Sequence, residues 1–412
     1  MTALSRVVAL DPAAFAGTVW GREPRLTRAA DLGGPGGFTG LLSPADIDEL
    51  LSRRGLRTPF LRVADQGKVL PANRFAGGGG AGAEVADQVR DEDVMRLYAE
   101  GATLVLQGLH RLWPPLIGFA GELGAELNRP LQVNAYLTPP ASQGFSTHYD
   151  THDVFVLQVD GTKQWCVHPP VLPDPLEKQA WGGRADEVAA TAQGVPALDV
   201  VLEPGDALYL PRGWLHSARA HGERSLHLTI GVRGPTRHTL VEELLTLAAN
   251  DPRLRATLPY GLDVTDPDAL EPELAATVAA LRDWLSTADP AAVAARLRER
   301  TRPDTRPAPI SPLAQLDFAA ALRGSDRIVA RPGLRRWWTA DGELRAGGRA
   351  VRFPGYCVPA VRLALDGEPH TVDELPLNDP EDRLVLARRL LTEAIVVPAE
   401  GIDGRSAGID PA

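Results

Sequence analysis

The fold of this 412-residue chain is decided by the stretch from Leu131 to Gly231, and within it by Thr147-His148-Tyr149-Asp150 and Pro211-Arg212-Gly213-Trp214-Leu215-His216. Residues two apart on an extended strand point to one face, so His148 and Asp150 can present an imidazole and a carboxylate to one point. His216 would complete the set. Two His and one carboxylate form the facial triad of non-haem Fe(II) oxygenases, which leaves the opposite coordination positions open. The pattern predicts a metal site, although a His-x-Asp run also arises by chance.

Short strands surround these two runs. Leu131–Leu137 alternates like a strand and ends at a Pro-Pro pair, and Val154–Val159 is an apolar run closed by Asp-Gly. Ala207–Leu210 follows a tight turn, and Ser225–Val232 is again rich in β-forming residues. The predicted triad therefore falls at strand ends, which is how a small β-barrel holds a site at its mouth.

Lys163 is the candidate anchor for an organic co-substrate. It follows the Gly161-Thr162 turn and shares a strand face with Trp165 and Val167, the face expected to point inward. An inward Lys is rare unless it is paired, so a bound carboxylate is a sensible partner. The alternative is a Lys at a hairpin tip in water. Tyr136 and Asn134 share a face of the first strand and either bind the same ligand or simply line the barrel.

The combination of three runs carries a family resemblance. Asn134–Asp150, Val154–Trp165 and Gly205–His216 resemble the JmjC subgroup called ribosomal oxygenases, which are cupin-like proteins. The resemblance implies an α+β fold built on a double-stranded β-helix (cupin/JmjC) barrel with flanking helices. It also implies an enzyme that uses Fe(II) and 2-oxoglutarate to hydroxylate a side chain of a protein, in this family a ribosomal protein.

Site residues follow from the same resemblance, position by position. It implies that the iron is held by His148, Asp150 and His216. It further implies that 2-oxoglutarate is bound by Lys163, helped by Tyr136, in a pocket that is also lined by Asn134 and Thr229.

Two further His residues are open in their roles. His227 matches a pocket-lining position of the family, but it shares a strand face with Thr229, and a satisfied core His is the simpler interpretation. His152 departs from the acidic residue often found at its position. It lies two residues beyond Asp150 and either competes as a ligand or is turned out of reach by the intervening chain.

Composition restricts the partners and the compartment. The formal net charge of −10 disfavours binding of nucleic acid through the global field and favours a basic partner, such as a ribosomal protein. Two isolated cysteines, Cys166 and Cys357, are too few for a disulfide framework or a zinc cluster. We find no apolar run of membrane length and no signal peptide, so the sequence predicts a cytoplasmic protein without membrane contact.

The chain is long enough for two or three domains. We predict a catalytic domain over 1–234, a helical region over 235–301, a Pro-rich linker from Arg302 to Pro312 and a winged-helix-like domain over 313–400. In the family the helical region forms a dimer interface, so we expect a homodimer, although packing within one chain explains the same apolar stripes.

Basic and aromatic residues in the last domain invite a nucleic-acid interpretation. They are Arg331, Arg335, Arg336, Arg345, Arg349 and Arg352, with Trp337 and Trp338. Because the same region carries many acids, a solvated face over buried tryptophans is the better interpretation, and we expect no nucleic-acid partner.

Two other functions are compatible with the same barrel. One is a related 2-oxoglutarate oxygenase that acts on a peptide natural product, a small molecule or tRNA. The other is a non-catalytic cupin-like binding protein, since a fold does not fix a function. The intact triad and Lys163 argue against the second. In the long connection from Pro169 to Leu198, Arg184 and Asp186 are conceivable substrate contacts, and a solvated surface is the alternative.

Overall fold

The protein is described by a computed structural model over residues 2–33, 37–65, 67–82, 84–140, 142, 146–301, 306–339 and 341–399. Its helices are α1 (Pro12–Ala14), α2 (Pro44–Arg53), α3 (Asp91–Ala99), α4 (Pro114–Leu127), α5 (Ala185–Thr191), α6 (Arg237–Ala248), α7 (Pro252–Arg255), α8 (Pro267–Leu285), α9 (Pro290–Thr301), α10 (Pro312–Ala320), α11 (Val358–Leu363) and α12 (Pro380–Thr392). Its strands are β1 (Arg25–Thr27), β2 (Leu61–Asp65), β3 (Lys68–Val69), β4 (Ala76–Gly77), β5 (Gln88–Val89), β6 (Thr103–Leu106), β7 (Leu131–Thr138), β8 (Asp153–Asp160), β9 (Lys163–His168), β10 (Leu198–Leu202), β11 (Ala207–Leu210), β12 (Leu215–Ala220), β13 (Ser225–Val232), β14 (Arg327–Ala330), β15 (Arg336–Trp338), β16 (Leu344–Ala346), β17 (Arg349–Val351), β18 (His370–Thr371) and β19 (Val396–Pro398).

Two antiparallel sheets form the barrel. The large sheet has the order β1-β11-β8-β13-β7-β6-β2-β3, and the small sheet has the order β10-β9-β12. Apolar side chains from both sheets share one cluster, in which Val156 and Leu208 of the large sheet pack with Trp165 and Val167 of the small sheet. The alternation that predicted these strands therefore places one face of each sheet in a common interior.

The outer face of the large sheet is also buried. Phe155, Tyr209 and Leu228 are at most 1% exposed and pack in a second cluster with the N-terminal segments, including Phe15 and Val19. Because this sheet is covered on both faces, its strands read as nearly continuous apolar runs.

A glycine corner passes the chain from the large sheet to the small one. Gly161, at φ +60°, lies against the carbonyl oxygen of Arg224 so closely that a Cβ atom could not fit. Only glycine adopts this conformation without penalty, and its absent side chain admits the neighbouring backbone. The corner therefore fixes where β9 begins, and it places Lys163 at the first position of the small sheet's central strand.

Beyond β7 the large sheet continues past the barrel through β6, β2 and β3. Leu61 and Val63 of β2 are at most 1% exposed and join the outer cluster. Because side chains alternate along a strand, the residues between and after them, Arg62 and Ala64, lie on the inner face of the sheet.

The chain divides into two compact units, Gly234–Arg306 and the remainder, Met1–Arg233 with Pro307–Ala412. The predicted helical region over 235–301 falls within the former unit and contains α6 to α9. There the buried carboxylate of Glu243 forms ion pairs with Arg296 and Arg300. Of the predicted Pro-rich linker, residues 302–305 lie outside the described residues, and α10 begins at Pro312.

The region from α10 to β19 has a core of its own. β14 pairs with β18 and β19, and β15 to β17 form a separate three-stranded sheet. Ile328, Ala360 and Leu390 are fully buried in one apolar cluster with residues of both sheets. Ile328 lies in β14 and Val351 in β17, and the helices α11 and α12 follow them in the chain.

Candidate metal centre

Backbone pairing brings the two predicted imidazoles together. The N–H of His148 donates to the carbonyl of His216 at 3.1 Å, and the N–H of His216 donates back at 2.8 Å. The ring centroids lie 4.5 Å apart. Residues that are 68 positions apart in the sequence are thus held side by side by a bridge at the edge of the small sheet.

Asp150 joins the pair through a second backbone contact. Its carbonyl accepts the N–H of Gly213 at 2.9 Å, and its carboxylate Oδ2 lies 3.7 Å from Nε2 of His216. Ligand atoms of His148, Asp150 and His216 all lie within 4.8 Å of one another. This spacing suits one ion between two imidazoles and a carboxylate.

Gly213 permits this arrangement. It adopts φ +87°, and a Cβ atom there would come within 2.8 Å of the carbonyl oxygen of Leu172 and of Pro175. The sharp turn before β12 therefore needs glycine, because that backbone conformation is costly for other residues. At this turn the N–H of Gly213 donates to the carbonyl of Asp150, and three residues later the N–H of His216 donates to the carbonyl of His148.

Hydrogen bonds set which imidazole nitrogens face the centre. Nδ1 of His148 lies 2.8 Å from the carbonyl of Ser146, and Nδ1 of His216 lies 3.1 Å from the carbonyl of Trp214. A carbonyl can only accept, so both Nδ1 atoms carry the proton and both Nε2 atoms carry a lone pair. Such carbonyl partners are typical of metal-binding His residues, whose tautomer they fix.

The protonation states also suit a cation. Burial, together with the charge on His148, lowers the pKa of His216 to about 4, so its imidazole is neutral at physiological pH. Burial raises the pKa of Asp150, but the electrostatic interactions of its carboxylate with His216, His152 and His148 outweigh burial and keep that pKa below its ordinary value. Imidazoles bind metals in their neutral form, so two of them and one carboxylate would leave a net positive charge on a bound divalent ion.

His152 is not part of this ligand set. Its Nε2 lies 2.8 Å from the position that a Cβ atom on Gly231 would occupy, so the tip of the ring approaches the backbone of β13. The cluster of possible ligand atoms contains His148, Asp150 and His216 and not His152, which favours the alternative of a ring out of reach of the ion. Its Nδ1 is buried without a hydrogen-bond partner among the described residues.

Lys163 points into the barrel, as its alternation with Trp165 predicted. The side chain is 3% exposed, and Nζ donates to the hydroxyl of Thr138 at 2.9 Å. Among the residues that the structure describes, no carboxylate lies within 4 Å of this ammonium group. Burial lowers the pKa of Lys163 to about 7. A hydroxyl does not neutralise a charge, so the position favours an anionic ligand.

Aromatic rings fill the space between Lys163 and the triad. Tyr136 and His227 stack with centroids 4.9 Å apart, and Trp165 meets His227 edge-on at 5.4 Å and His216 at 6.0 Å. Burial and the nearby charge of Lys163 hold the pKa of His227 well below its ordinary range. His227 Nδ1 and Trp165 Nε1 are buried with no partner among the described residues. His227 therefore differs from the satisfied core His that the sequence offered as the simpler interpretation, because its Nδ1 has no partner among the described residues.

Asn134 and Thr229 stand directly opposite each other in the register of β7 and β13. The side-chain oxygen of Asn134 accepts the N–H of Gly108 at 3.1 Å, which ties it to the segment after β6. Both residues lie on the face that carries Tyr136. Asn134 is two residues before Tyr136 along β7, and Thr229 is two residues after His227 along β13. Their position is compatible with the predicted pocket, and Asn134 has a structural contact as well.

Sequence reasoning missed the partner of Lys163 and an aromatic lid. Thr138 lies at the end of β7 on the inward face, a position that alternation could have identified. Trp181 lies 6.3 Å from the ring of His148 and packs with Tyr149 and Val188. It is brought there by the long connection between β9 and β10, which contains α5. In that connection Arg184 pairs with Glu187 at an exposed position, which fits the solvated alternative.

The basic residues of the last domain are engaged in contacts of their own. Arg331 donates to the carbonyl of Ala308, and Arg336 donates to that of Leu365. Arg345 and Arg352 both pair with Glu343, and Arg349 pairs with Glu393, whereas Trp338 lies under Arg362. These contacts engage the five arginines within the region itself and the segment next to it.

The fold and the site together define a class: a barrel that carries two imidazoles and one carboxylate at its mouth, as in non-haem Fe(II) oxygenases. Residues 124–240 match the family described as the JmjC domain. The chain thus carries a JmjC domain with a cupin fold, which confirms the resemblance seen in the sequence.

The chain is also homologous to ribosomal oxygenases. It is 34% identical over 222 residues to ribosomal oxygenase 1 of Rattus norvegicus, an alignment that covers 54% of this chain and 35% of that protein. It is 33% identical over 216 residues to the bifunctional lysine-specific demethylase and histidyl-hydroxylase NO66 of Aedes aegypti, covering 52% and 32%. The matched region therefore spans about a third of the length of these relatives.

Solved structures share the fold over almost the whole chain. The Escherichia coli ribosomal oxygenase YcfD aligns with a TM-score of 0.53 at 19% identity, covering 95% of this chain and 99% of that one. A YcfD structure in complex with cobalt and 2-oxoglutarate aligns with a TM-score of 0.51 at 18% identity, covering 94% and 98%.

Among the residues that the structure describes, no helix is long and apolar enough to cross a membrane.

Proposed function

We propose that this protein is an Fe(II)- and 2-oxoglutarate-dependent oxygenase that hydroxylates a side chain of a ribosomal protein. The observation that carries the proposal is a metal-ligand triad and a buried ammonium in the same barrel. The triad suits a divalent ion with open coordination positions, and the ammonium of Lys163 suits the distal carboxylate of a dicarboxylate.

The roles of the residues follow from their chemistry. His148, Asp150 and His216 would hold the ion. The Nδ1 hydrogen bonds of the two His residues and the backbone bridge between them fix the positions of the imidazole nitrogens. Lys163 would bind and orient 2-oxoglutarate, with Thr138 fixing the position of Nζ. Tyr136, Asn134 and Thr229 would complete the walls of the cofactor pocket.

When bound, Fe(II) supplies the ability to activate O₂, so that one oxygen atom enters an unactivated C–H bond and the other enters succinate as 2-oxoglutarate loses CO₂. The chain contributes exclusion of water and orientation. Val156, Trp165, Val167 and Leu208, each at most 5% exposed, pack around the inner end of the cavity. Few protein groups there compete with an organic ligand for hydrogen bonds.

The substrate class rests on the relatives and on charge. Proteins named ribosomal oxygenase and histidyl-hydroxylase match the region that contains the triad. The net charge of −10 favours association with basic ribosomal proteins. A cytoplasmic location, where such proteins are made, is part of the same proposal.

The other two regions have proposed roles as well. Apolar side chains of the helical unit are exposed, among them Val241 at 48%, Leu245 at 51% and Val278 at 56%, and this supports a homodimer formed through that unit. The region from α10 to β19 is proposed as a winged-helix-like domain without a nucleic-acid partner, because five of the six arginines named in its sequence contact a carbonyl or a carboxylate of the region or of the segment next to it.

The proposal is tested by incubating the protein with ribosomal proteins extracted from a strain that lacks it, together with Fe(II), 2-oxoglutarate and O₂. We expect one ribosomal protein to gain the mass of one oxygen atom, in step with succinate release, and the His216→Ala variant to yield neither. Succinate release without any mass gain on these proteins would instead favour a different substrate. If the wild-type protein produced neither the mass gain nor succinate, the enzymatic assignment would be wrong.

A further inference from the structure

One residue on the inner face of the large sheet is used by none of the roles above. The register aligns Arg62 of β2 with Val105 of β6, Val105 with Tyr136 of β7, and Tyr136 with His227 of β13. All four side chains lie on one face, because their neighbours along each strand join the outer cluster. The row therefore leads from the cavity, through Tyr136, to Arg62 outside the barrel.

Arg62 is half-buried and has no protein partner. Neither a hydrogen bond nor an ion pair engages its guanidinium group among the residues that the structure describes. Other arginines around the barrel behave differently, since Arg28 pairs with Asp206 at 2.6 Å and Arg224 pairs with Asp160 at 2.9 Å. A partly desolvated guanidinium that keeps all five donors uncommitted is an unusual feature of a folded protein.

The position of Arg62 relates it to the metal centre. Neighbouring strands are about 4.8 Å apart, so Arg62 stands about 10 Å from Tyr136 across the intervening Val105, within reach of a long side chain. The charges of Asp150 and Arg62 act in opposite directions on the pKa of the Tyr136 phenol, which burial and Asp150 raise to about 12. Tyr136 therefore lies within the field of both, between the triad and the arginine.

The immediate neighbours of Arg62 on this face carry no charge. Val105 and Ala64 are apolar and at most 2% exposed, so the half-buried guanidinium of Arg62 is the group here that a substrate could reach. The extension of the sheet through β6 and β2 lies outside the closed barrel, where a chain too large for the cavity would have to rest.

We propose that Arg62 is a substrate-docking residue, which binds an oxygen acceptor of the protein substrate next to the residue that is hydroxylated. The acceptor is either an acidic side chain or a main-chain carbonyl, both of which match the guanidinium donors. This inference rests on the proposed function and adds to it a second contact point, about two strands from Tyr136.

The test compares four proteins with the wild type: Arg62→Met, Arg62→Lys, Arg62→Gln and the control Arg25→Met. Arg25 is an exposed arginine on β1 of the same sheet, opposite Tyr209 of the outer face. The probe is the ribosomal-protein extract described above, supplied at limiting concentration. Each protein is assayed for the initial rate of mass gain, for binding of 2-oxoglutarate with Co(II) by calorimetry, and for thermal stability.

Arg62→Met is expected to lower the rate of mass gain about 10-fold or more, as loss of a charge-assisted hydrogen bond should. Binding of 2-oxoglutarate and the melting temperature should remain at wild-type values, and Arg25→Met should change neither rate nor binding. If the acceptor is a carboxylate, Arg62→Lys retains most of the rate and Arg62→Gln does not. If it is a carbonyl, Arg62→Gln retains most of the rate.

Two results would overturn the inference while the wild-type protein remains active. One is a rate for Arg62→Met within about 2-fold of the wild type. The other is weakened binding of 2-oxoglutarate in that variant, which would assign Arg62 to the cofactor site. Absence of mass gain with the wild-type protein would remove the proposed function, and this inference with it.

Discussion

The barrel interior and the region from α10 to β19 both bury apolar side chains tightly, but they treat polar groups differently. In the C-terminal region, over the described residues 307–339 and 341–399, buried side-chain nitrogen and oxygen atoms all have a partner. Buried Gln315, for example, donates to the carbonyls of Leu391 and Val396. In the barrel, His227 Nδ1 and Trp165 Nε1 have none among the described residues, and the ammonium of Lys163 meets only a hydroxyl.

This difference separates a region built for stability from one built to bind. An unpaired buried polar atom costs about 1 to 3 kcal/mol, so a fold gains nothing by keeping several in one cavity. A ligand or an ordered water bound beside these atoms can provide the missing partners. The barrel therefore differs from the C-terminal region, where Arg331, Arg336, Arg345, Arg349 and Arg352 are each engaged with a carbonyl or a carboxylate.

The largest effect is expected at the triad. His216→Ala should lower succinate release more than about 100-fold, because even outer partners of metal ligands contribute about 10- to 100-fold. The fold should survive, since the backbone bridge to His148 does not need the imidazole. The control is His221→Ala, an exposed His just past the same strand. Succinate release by the His216→Ala variant at nearly the wild-type rate would contradict the assignment of His216 as a metal ligand.

The Lys163→Met substitution should weaken the binding of 2-oxoglutarate but raise the stability of the protein. Binding of 2-oxoglutarate should weaken about 10- to 100-fold, as expected for lost charge-assisted hydrogen bonds. The melting temperature below pH 7 should rise, since removing a buried unpaired charge stabilises the protein by roughly 1 to 3 kcal/mol. Calorimetry and thermal unfolding measure the two effects. A Met variant that binds normally, or that is less stable, would break the comparison drawn above.

A smaller effect is expected from pH. The pKa of Lys163 is lowered to about 7 by burial, so ligand-free protein loses the ammonium as the pH rises through 7. A bound carboxylate favours the ammonium, so binding above pH 7 takes up a proton and weakens by up to about 10-fold per pH unit. Calorimetry in buffers of different ionisation enthalpy measures this uptake. Lys163→Arg, which stays charged, should remove the dependence.

The smallest effects belong to the C-terminal region. Arg349→Ala and Arg352→Ala each remove a surface ion pair and should change stability by no more than about 1 kcal/mol. Succinate release should match the wild type, and RNA binding should be negligible in the wild type and in both variants. RNA binding by the wild type that falls markedly in either variant would show that these arginines serve a partner, and that the two regions differ less than their contacts indicate.

Sequence reasoning identified the features that depend on residues close together in the chain. Asp150 stands two residues from His148, and Lys163 alternates with Trp165, so strand periodicity was enough to place each on its face. The meeting of His216 with His148 depended on the family resemblance, because no local rule pairs residues so far apart.

The features that it missed depend on register and on tertiary packing. Arg62 reads as an ordinary polar residue of a strand until the pairing of β2 with β6 and β7 aligns it with Tyr136. Trp181 belongs to a polar connection with no periodic pattern, and only its packing beside Tyr149 brings it over the triad. Strand periodicity predicted the strands of the barrel, whereas the row of side chains from Tyr136 to Arg62 required the order of strands in the sheet.

The most direct test of the central claim is anaerobic titration of the metal-free protein with Fe(II) or Co(II), followed by 2-oxoglutarate. We expect one ion per chain in the wild type, with tight binding of 2-oxoglutarate only after the metal. Neither event should occur in a variant that combines His148→Ala with His216→Ala. Binding of the ion with equal affinity by that variant, or tight binding of 2-oxoglutarate to the metal-free protein, would contradict the claim that these side chains form the catalytic centre.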